Sequence, residues 1–379
     1  MTTRRLRMVA LFYTFVLAYA GMQLYAVGRA HADLGLAWPV TGALVAWVAL
    51  MTAMPFLVWR WEARGWHRPV ILGSWLGYTW MGLAFLFFWI ALVLALVRSA
   101  LIHFDPLYFT TARAAFWQAC GITGLVALYG FVDARRLRIE KVALASPKLA
   151  PGSRPLRIAL ISDVHLGAIV HTRRLRAILA ELRRLDPDVL ISAGDLVDGQ
   201  ADRLDDLSAM FAEFRPPLGK FAVTGNHEYF VGVDRALAFH RDAGFRVLRG
   251  EAAPVNEALT IAGVDDPTGR RMGQPGHTDE RAALKSAASG RFTLLIKHQP
   301  LIDEAASPGV DLQVSGHVHK GQIFPFGYLV RLRYPVDTGL NAKPGGGWLY
   351  VSRGTGTWGP PLRVGAAPEI TLFELTPAA

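Results

Sequence analysis

Four long runs without a charged side chain precede residue 135: Met8–Val27, Leu36–Val58, Val70–Val97 and Ala114–Val132. Each offers the roughly 18–20 apolar residues that an α-helix needs to cross about 30 Å of hydrocarbon. A helix buried in a soluble protein leaves a polar stripe at helical period, and these runs leave none. The third, rich in Leu, Phe and Trp, fits the requirement best. The fourth fits it least well, because Gln118 and three glycines interrupt it and Arg113 stands at its edge.

Composition agrees. Of 379 residues, 52% are hydrophobic and 18% charged, against about 45–50% apolar and about 25% charged in an ordinary soluble domain. So much apolar surface excludes disorder, and a single cysteine, Cys120, excludes a disulfide scaffold. The net charge of +10 first suggests an anionic partner, but its location argues otherwise. Residues 1–150 hold 14 Lys and Arg against 5 Asp and Glu, while the remainder is nearly balanced at 26 against 25. Nine of the eleven tryptophans also lie in that first part. A nucleic-acid surface would put its cations on the folded domain rather than between apolar runs, so no nucleic-acid partner is expected.

Those cations instead report orientation. Arg4, Arg5 and Arg7 precede the first run, Arg60, Arg64 and Arg68 separate the second from the third, and Arg135, Arg136, Arg138 and Lys141 follow the fourth. The other two connections carry only Arg29, Arg98 and, at the edge of the fourth run, Arg113. The positive-inside rule then places both termini and the middle loop in the cytoplasm, in a multi-pass protein of the cell (inner or plasma) membrane. Arg4-Arg5 and Ala18-Tyr19-Ala20 invite an export-signal reading, but the apolar run is too long for one and three more follow. No Asp, Glu or Lys lies inside a run, so the spans read as an anchor.

Domain boundaries follow: an all-α membrane anchor over 1–140, a linker over 141–154 marked by Ser146-Pro147 and Pro151-Gly152-Ser153, and a folded domain over 155–379. In that domain short apolar runs alternate with amphipathic stretches. Strands are predicted at Leu156–Ile161, Val189–Ser192, Phe221–Thr224, Leu259–Val264, Phe292–Ile296, Leu312–Ser315, Trp348–Ser352 and Glu369–Phe373. Helices are predicted at Thr172–Leu185, Arg203–Phe214, Asp234–Ala243 and Thr278–Ala288. This is an α/β domain.

Five of the strands end on chemistry. They deliver Asp163-x-His165, Gly194-Asp195, Gly225-Asn226-His227-Glu228, His298 and Gly316-His317-x-His319. In open α/β sheets ligands bind beyond the carboxyl ends of the strands. Carboxylates, one amide oxygen and several imidazoles suit divalent transition metals better than the all-oxygen shells of Mg²⁺ or Ca²⁺. The set is larger than one ion can use, which points to two ions sharing a carboxylate. His317 and His319 can serve one ion together or one each.

These blocks resemble the five motifs of the calcineurin-like metallophosphoesterases, over roughly residues 155–376. Gly263-Val264-Asp265-Asp266-Pro267, Gly321-Gln322, Leu349-Tyr350-Val351-Ser352-Arg353-Gly354 and Pro368-Glu369-Ile370-Thr371 are similar to a bacterial membrane-linked branch acting on phospholipid-like or UDP-diacylglucosamine-type substrates. The resemblance implies a four-layer α/β sandwich of two mixed sheets. It implies Asp163, His165 and His319 on one metal, Asn226, His298 and His317 on the other, Asp195 bridging, and His227 as the catalytic imidazole beside the scissile phosphate. Mn²⁺ is favoured, with Zn²⁺ or Fe²⁺ as alternatives. Relatives often carry Asp in place of Glu228, and Gly in place of Lys320. Lys320 and Arg353 are candidate substrate contacts.

The expected function is therefore hydrolysis of a phosphodiester or pyrophosphate bond by hydroxide generated at two metal ions. The segment Ile323–Tyr334 mixes Phe324, Phe326, Tyr328 and Leu329 with Arg331 and Arg333 directly after the last histidine. It reads either as a surface for a lipid-linked, amphiphilic substrate and membrane lipids, or as a β-hairpin turning at Phe326-Gly327. Two other functions stand beside the first: a tethered phosphodiesterase for a soluble substrate such as a cyclic nucleotide, and a non-enzymatic binding protein. No obligate protein partner is indicated.

Overall fold

The computed structural model describes residues 3–104, 111–199, 204–274, 276–287 and 290–378. It contains two compact units, the first Met1–Val132 with Gly359–Leu362, the second Asp133–Trp358 with Arg363–Ala379.

The first unit holds α1 (Thr3–Leu34), α2 (Trp38–Glu62), α3 (His67–Phe104) and α4 (Ala112–Asp133). Three of them, α2, α3 and α4, are long and apolar enough to cross a membrane. The fourth expected span falls in α1, which is not among the candidate spans found in the described residues. Even so, α1 is stitched to its neighbours. Trp80 Nε1 of α3 donates to Gln23 Oε1 at 2.6 Å, and Gln23 Nε2 donates to Thr52 Oγ1 of α2 at 3.0 Å. Pairing these polar groups between apolar helices fixes how the helices pack. Between α2 and α3, Gly73 and Gly77 lie so close to Trp61 and Met54 that any side chain there would collide with them.

The second unit runs β1 (Arg138–Ser146), β2 (Leu156–Ile161), α5 (Thr172–Leu185), β3 (Val189–Ser192), α6 (Leu204–Ala212), β4 (Lys220–Ala222), α7 (Asn226–Val231), α8 (Val233–Asp242) and β5 (Arg246–Val247). It continues with β6 (Glu251–Pro254), β7 (Leu259–Gly263), α9 (Thr268–Arg271), α10 (Glu280–Leu284), β8 (Phe292–Ile296), β9 (Leu312–Ser315), α11 (Gly327–Arg331), β10 (Gly339–Ala342), β11 (Trp348–Val351) and β12 (Glu369–Pro377). Two six-stranded mixed sheets result, in the orders β1-β12-β2-β3-β4-β5 and β10-β11-β9-β8-β7-β6. Strand alternation sends Ile158, Leu160, Ile191 and Val223 of one sheet against Ile261, Leu294, Ile296 and Val314 of the other. The opposite face of the first sheet, with Ala159 and Ile161, is covered by α5, α6 and α8. The second sheet is covered outside by α10 through Ala252, Ala262 and Leu295. The layers are therefore helix, sheet, sheet and helix.

The helix α5 shows how directly sequence sets these elements. Leu175, Ile178, Leu179, Leu182 and Leu185 recur on one buried face. It stops at Asp186, which turns left-handed (φ 43°) ahead of Pro187, a residue that disfavours helix before it.

Several expectations shift. Residues 138–146, divided by the sequence reading between anchor and linker, form the edge strand β1, in parallel register with β12 from Arg138–Glu369 to Ser146–Pro377. Its apolar positions Ile139, Val142 and Leu144 are spaced by adjacent charges, which hides the pairing from a search for apolar runs. The segment after the last histidine is no hairpin: it folds into the short helix α11, starting at Gly327. Arg203 and Ala288, expected helix ends, lie outside the described residues. The helices beside them are shorter than expected, Leu204–Ala212 and Glu280–Leu284.

Candidate metal centre

All five chemical blocks emerge from the carboxyl ends of β2, β3, β4, β8 and β9, adjacent strands of the two packed sheets. The backbone there is unusual. Asp163 (φ 50°), His165 (φ 53°), Asp195 (φ 51°), His317 (φ 72°) and His319 (φ 47°) all take left-handed conformations. Such conformations cost residues with a Cβ of the order of 1–3 kcal/mol each, and they persist where surrounding structure over-determines them. Five in one place mark a site shaped for its side chains rather than for stability.

Three overlapping groups form within it, two of them from the expected ligands. Asp163, His165 and His319 each present a ligand atom within 4.8 Å of the others, and so do Asp195, His298 and His317. Asp195 lies between them, its Oδ2 at 3.1 Å from His298 Nε2 and 3.9 Å from His165 Nε2. Its other oxygen accepts the His227 backbone N–H at 2.8 Å. Asn226 joins the second cluster, with Oδ1 at 3.2 Å from His298 Nε2. Every sequence-predicted ligand is thus in one place.

His298 shows that the donor set fits a cation. Its Nδ1 lies 2.8 Å from the Ala193 carbonyl, to which it donates, so the ring is fixed with Nε2 facing inward. Nε2 then meets Asp195 Oδ2 at 3.1 Å, Asn226 Oδ1 at 3.2 Å and His317 Nδ1 at 3.2 Å. One ring N–H cannot satisfy three acceptors, whereas a cation among them can. In the other cluster His165 and His319 point Nε2 at each other across 3.1 Å, and the buried Nδ1 of His165 has no hydrogen-bond partner among the described residues. Burial lowers His165 to about 3 and His317 to about 4, which keeps both imidazoles in the neutral form that ligates metals. Burial also pushes the Asp163 carboxyl up to about 6, a cost that a neighbouring cation would relieve.

His227 belongs to a third group, its ligand atom lying within 4.8 Å of those of His165 and Asp195. Its Nδ1 is 2.8 Å from Asp198 Oδ1. Burial works against its charge, but the Asp195 and Asp198 carboxylates outweigh that and raise it to about 9. Its ring packs edge-on against Phe230 and Trp358, with centroids 5.2 and 5.8 Å away. Both aromatic rings are largely exposed.

Asp198, Phe230 and Trp358 are absent from the sequence reading. Asp198 follows Asp195 by three residues on the same strand-end loop, a spacing that offers a signal. Trp358 arrives from the far end of the chain, held by Gln322, whose amide exchanges hydrogen bonds of 2.8 and 3.0 Å with the Trp358 backbone.

The loops are braced from behind. Glu228, fully buried, accepts the backbone N–H groups of Asp195 (3.0 Å), Leu196 (2.8 Å) and Gly225 (2.7 Å). Stranding those donors would cost about 1–3 kcal/mol each, so the carboxylate shapes the Asp195 loop. Arg363, also fully buried, reaches His319 Nδ1 at 2.9 Å and the Arg353 carbonyl at 2.7 Å. Burial and this guanidinium together hold His319 well below the usual histidine range. A side chain at Gly316 would strike Ser162 and the Asp163 carboxylate, so glycine is required there.

The two candidate substrate contacts part company. Arg353 pairs with Glu369 and Glu140, and its mostly buried side chain ties β1 to β12. Glu140 comes from β1, a strand not expected from the sequence. Lys320 has no ion pair among the described residues and sits beside His319 in a left-handed conformation (φ 51°), which accounts for glycine being common at that place.

Comparison with known proteins agrees with this geometry. Residues 156–321 match the calcineurin-like phosphoesterase family. An uncharacterised metallophosphoesterase of Aquifex aeolicus is 43% identical over 255 residues, covering 67% of this chain and 97% of that protein. A transmembrane protein with metallophosphoesterase domain from Danio rerio is 33% identical over 269 residues, or 68% of this chain. This chain spans 62% of the length of that fish protein. With the strand-end ligands assembled and these likenesses in hand, the chain belongs to the calcineurin-like metallophosphoesterases, hydrolases of phosphoric esters that work at a centre of two divalent metal ions.

Proposed function

We propose that this chain is a membrane-anchored phosphoesterase that cleaves a phosphodiester or pyrophosphate bond in a lipid-linked substrate. The observation that carries the chemistry is the convergence of Asp195, Asn226 and His317 on His298 Nε2, within 3.1–3.2 Å. In this reading Asp163, His165 and His319 hold one ion, Asn226, His298 and His317 hold the other, and Asp195 is shared. Two divalent ions bound there polarise phosphoryl oxygens and make hydroxide available near neutral pH. Mn²⁺ is favoured, and Zn²⁺ or Fe²⁺ suits the same imidazole-rich set.

The remaining work falls to the chain's own side chains. His227, charged through its carboxylate neighbours, gives its Nε2 proton to the departing oxygen. Asp198 holds the ring by Nδ1 and sustains that charge. Glu228 and Arg363 keep the Asp195 and His319 loops in their strained conformations.

The lipid reading rests on the segment after His319. Phe324, Tyr328 and Leu332 are 61%, 63% and 83% exposed, and Phe230 and Trp358 extend apolar surface to His227. Exposed aromatics clustered beside a catalytic centre suit the acyl portion of an amphiphile. Replacing Phe324, Tyr328 and Leu332 together by serine should reduce hydrolysis of a phospholipid substrate by about tenfold or more, given about 1.5–3 kcal/mol for each apolar side chain buried. Hydrolysis of a small bis-aryl phosphodiester should stay within about twofold. Equal losses on both substrates would favour the second reading, a tethered enzyme for a soluble phosphodiester.

We further propose that α1 crosses the membrane with the other three helices, since Gln23 joins it to both α2 and α3. The flanking arginines place the termini in the cytoplasm of a cell whose inner or plasma membrane holds the anchor. The catalytic domain then begins at β1, ahead of the expected boundary.

A further inference from the structure

The anchor itself contains a cavity. About 260 Å³ of space lies among α1, α3 and α4, somewhat below the roughly 300–1,000 Å³ of small-molecule pockets. On α3 its wall follows one helical stripe, Phe87, Ala91, Leu94 or Ala95, Arg98 and Ile102. From Phe87 to Arg98 that stripe is about 16 Å long, or half the hydrocarbon thickness. The room exists because the lining positions of α4 include Ala115 and Ala119, opposite Ala91 and Ala95.

The cavity is not uniformly apolar. Arg29 of α1 and Arg98 of α3 both line it, at the end where these helices approach the connections to α2 and α4. Each lies just beyond an apolar run, in a connection that carries few cations. Arg29 is engaged by Asp33 at 2.7 Å. Arg98, half-buried, has no ion pair among the described residues. A guanidinium at the mouth of an apolar slot is costly unless an anion or the headgroup region meets it.

We infer that this cavity binds an anionic lipid, its phosphate against Arg98 and Arg29 and the upper part of one acyl chain along the Phe87–Leu94 stripe. The volume admits that much of a lipid and excludes a whole diacyl molecule, so the second chain stays in the bilayer. Arg98 supplies a planar fork of donors that matches a phosphate, and the alanines supply the width. This site is separate from the metal centre and adds a ligand-binding role to helices otherwise read as an anchor.

The test is lipid retention by the full-length protein, purified in neutral detergent and measured by native mass spectrometry. Phosphatidylglycerol should be retained at one molecule per chain. Phosphatidylcholine and inorganic phosphate should bind at least about tenfold more weakly. Arg98→Gln should weaken phosphatidylglycerol retention by about tenfold, Arg98→Lys should weaken it less, and Ala95→Phe, which fills the slot and keeps both arginines, should abolish it. Unchanged melting temperature and monodispersity would show that each variant is folded. If Arg98→Gln and Ala95→Phe retain the lipid as the parent does, or if phosphatidylcholine or phosphate binds equally well, the inference fails. Because the readout is binding, that failure would leave the hydrolase reading untouched.

Discussion

Replacing His227 by alanine should lower kcat for a phosphodiester with an alkoxide leaving group by about two to four orders of magnitude while both ions stay bound. Although His227 also groups with His165 and Asp195, two clusters form without it: Asp163, His165 and His319 make one, and Asp195, His298 and His317 with Asn226 the other. What disappears is the proton that His227 would give to the leaving oxygen. The sign of the pH effect follows from its environment. Burial alone would lower the imidazole, but Asp195 and Asp198 raise it to about 9, so it is charged at neutral pH and loses the proton as pH climbs through that value. Activity should accordingly fall on the alkaline side. Asp198→Asn removes the partner at 2.8 Å and should shift that fall to lower pH while metal content is unchanged. A leaving group of low basicity, such as nitrophenolate, needs less protonation and should suffer less from His227→Ala than an alkoxide. Full activity in the alanine variant would remove His227 from the chemistry.

A second substitution should be more severe. Asp195→Ala takes away the carboxylate that faces both His298 Nε2 and His165 Nε2, and with it the acceptor of the His227 N–H. If Asp195 is shared as proposed, both ions would lose a ligand at once, so metal content should drop below one per chain and turnover should fall by about 10³-fold or more. Asp195→Asn keeps the shape and the hydrogen bond but not the charge, and should recover little. Ion counts by elemental analysis separate this outcome from that of His227→Ala, which keeps its metal. Retention of two ions by Asp195→Ala would show that each cluster binds alone.

The contrast between these two positions also shows what can be read from sequence. The ligands were legible because each stands at the carboxyl end of an apolar run, and those runs became β2, β3, β4, β8 and β9. The α5 stripe of Leu and Ile was equally plain. Three things were not. Strand β1 escaped because its apolar residues alternate with Glu140 and Lys141, and its pairing partner lies more than 200 residues away in β12. With β1 hidden, Glu140 was hidden too, and Arg353 therefore looked free to meet a substrate. The left-handed backbone at five ligand positions is a property of assembled loops, visible only when Glu228, Arg363 and Gly316 are seen pressing on them. The aromatic walls beside His227 come from α7 and from a loop near the C-terminus, brought together by the two-sheet fold.

In the membrane unit, composition gave the spans their lengths but not their interior. No charge interrupts the four runs, so nothing in the sequence announces a cavity; it opens because alanines of α3 and α4 face one another. Similarly, Gln23 looks like a blemish in an apolar run and proves to be the point where three helices are joined.

The central claim, that two divalent ions in this strand-end site hydrolyse a phosphoric ester, is tested most directly by one titration. The full-length protein, purified in detergent and stripped by chelation, is supplied with Mn²⁺ while hydrolysis of a bis-aryl phosphodiester is followed. Turnover should be absent without metal and should rise to a plateau at two Mn²⁺ per chain. Turnover that persists without metal, a plateau at one ion, or no hydrolysis at full loading would contradict it.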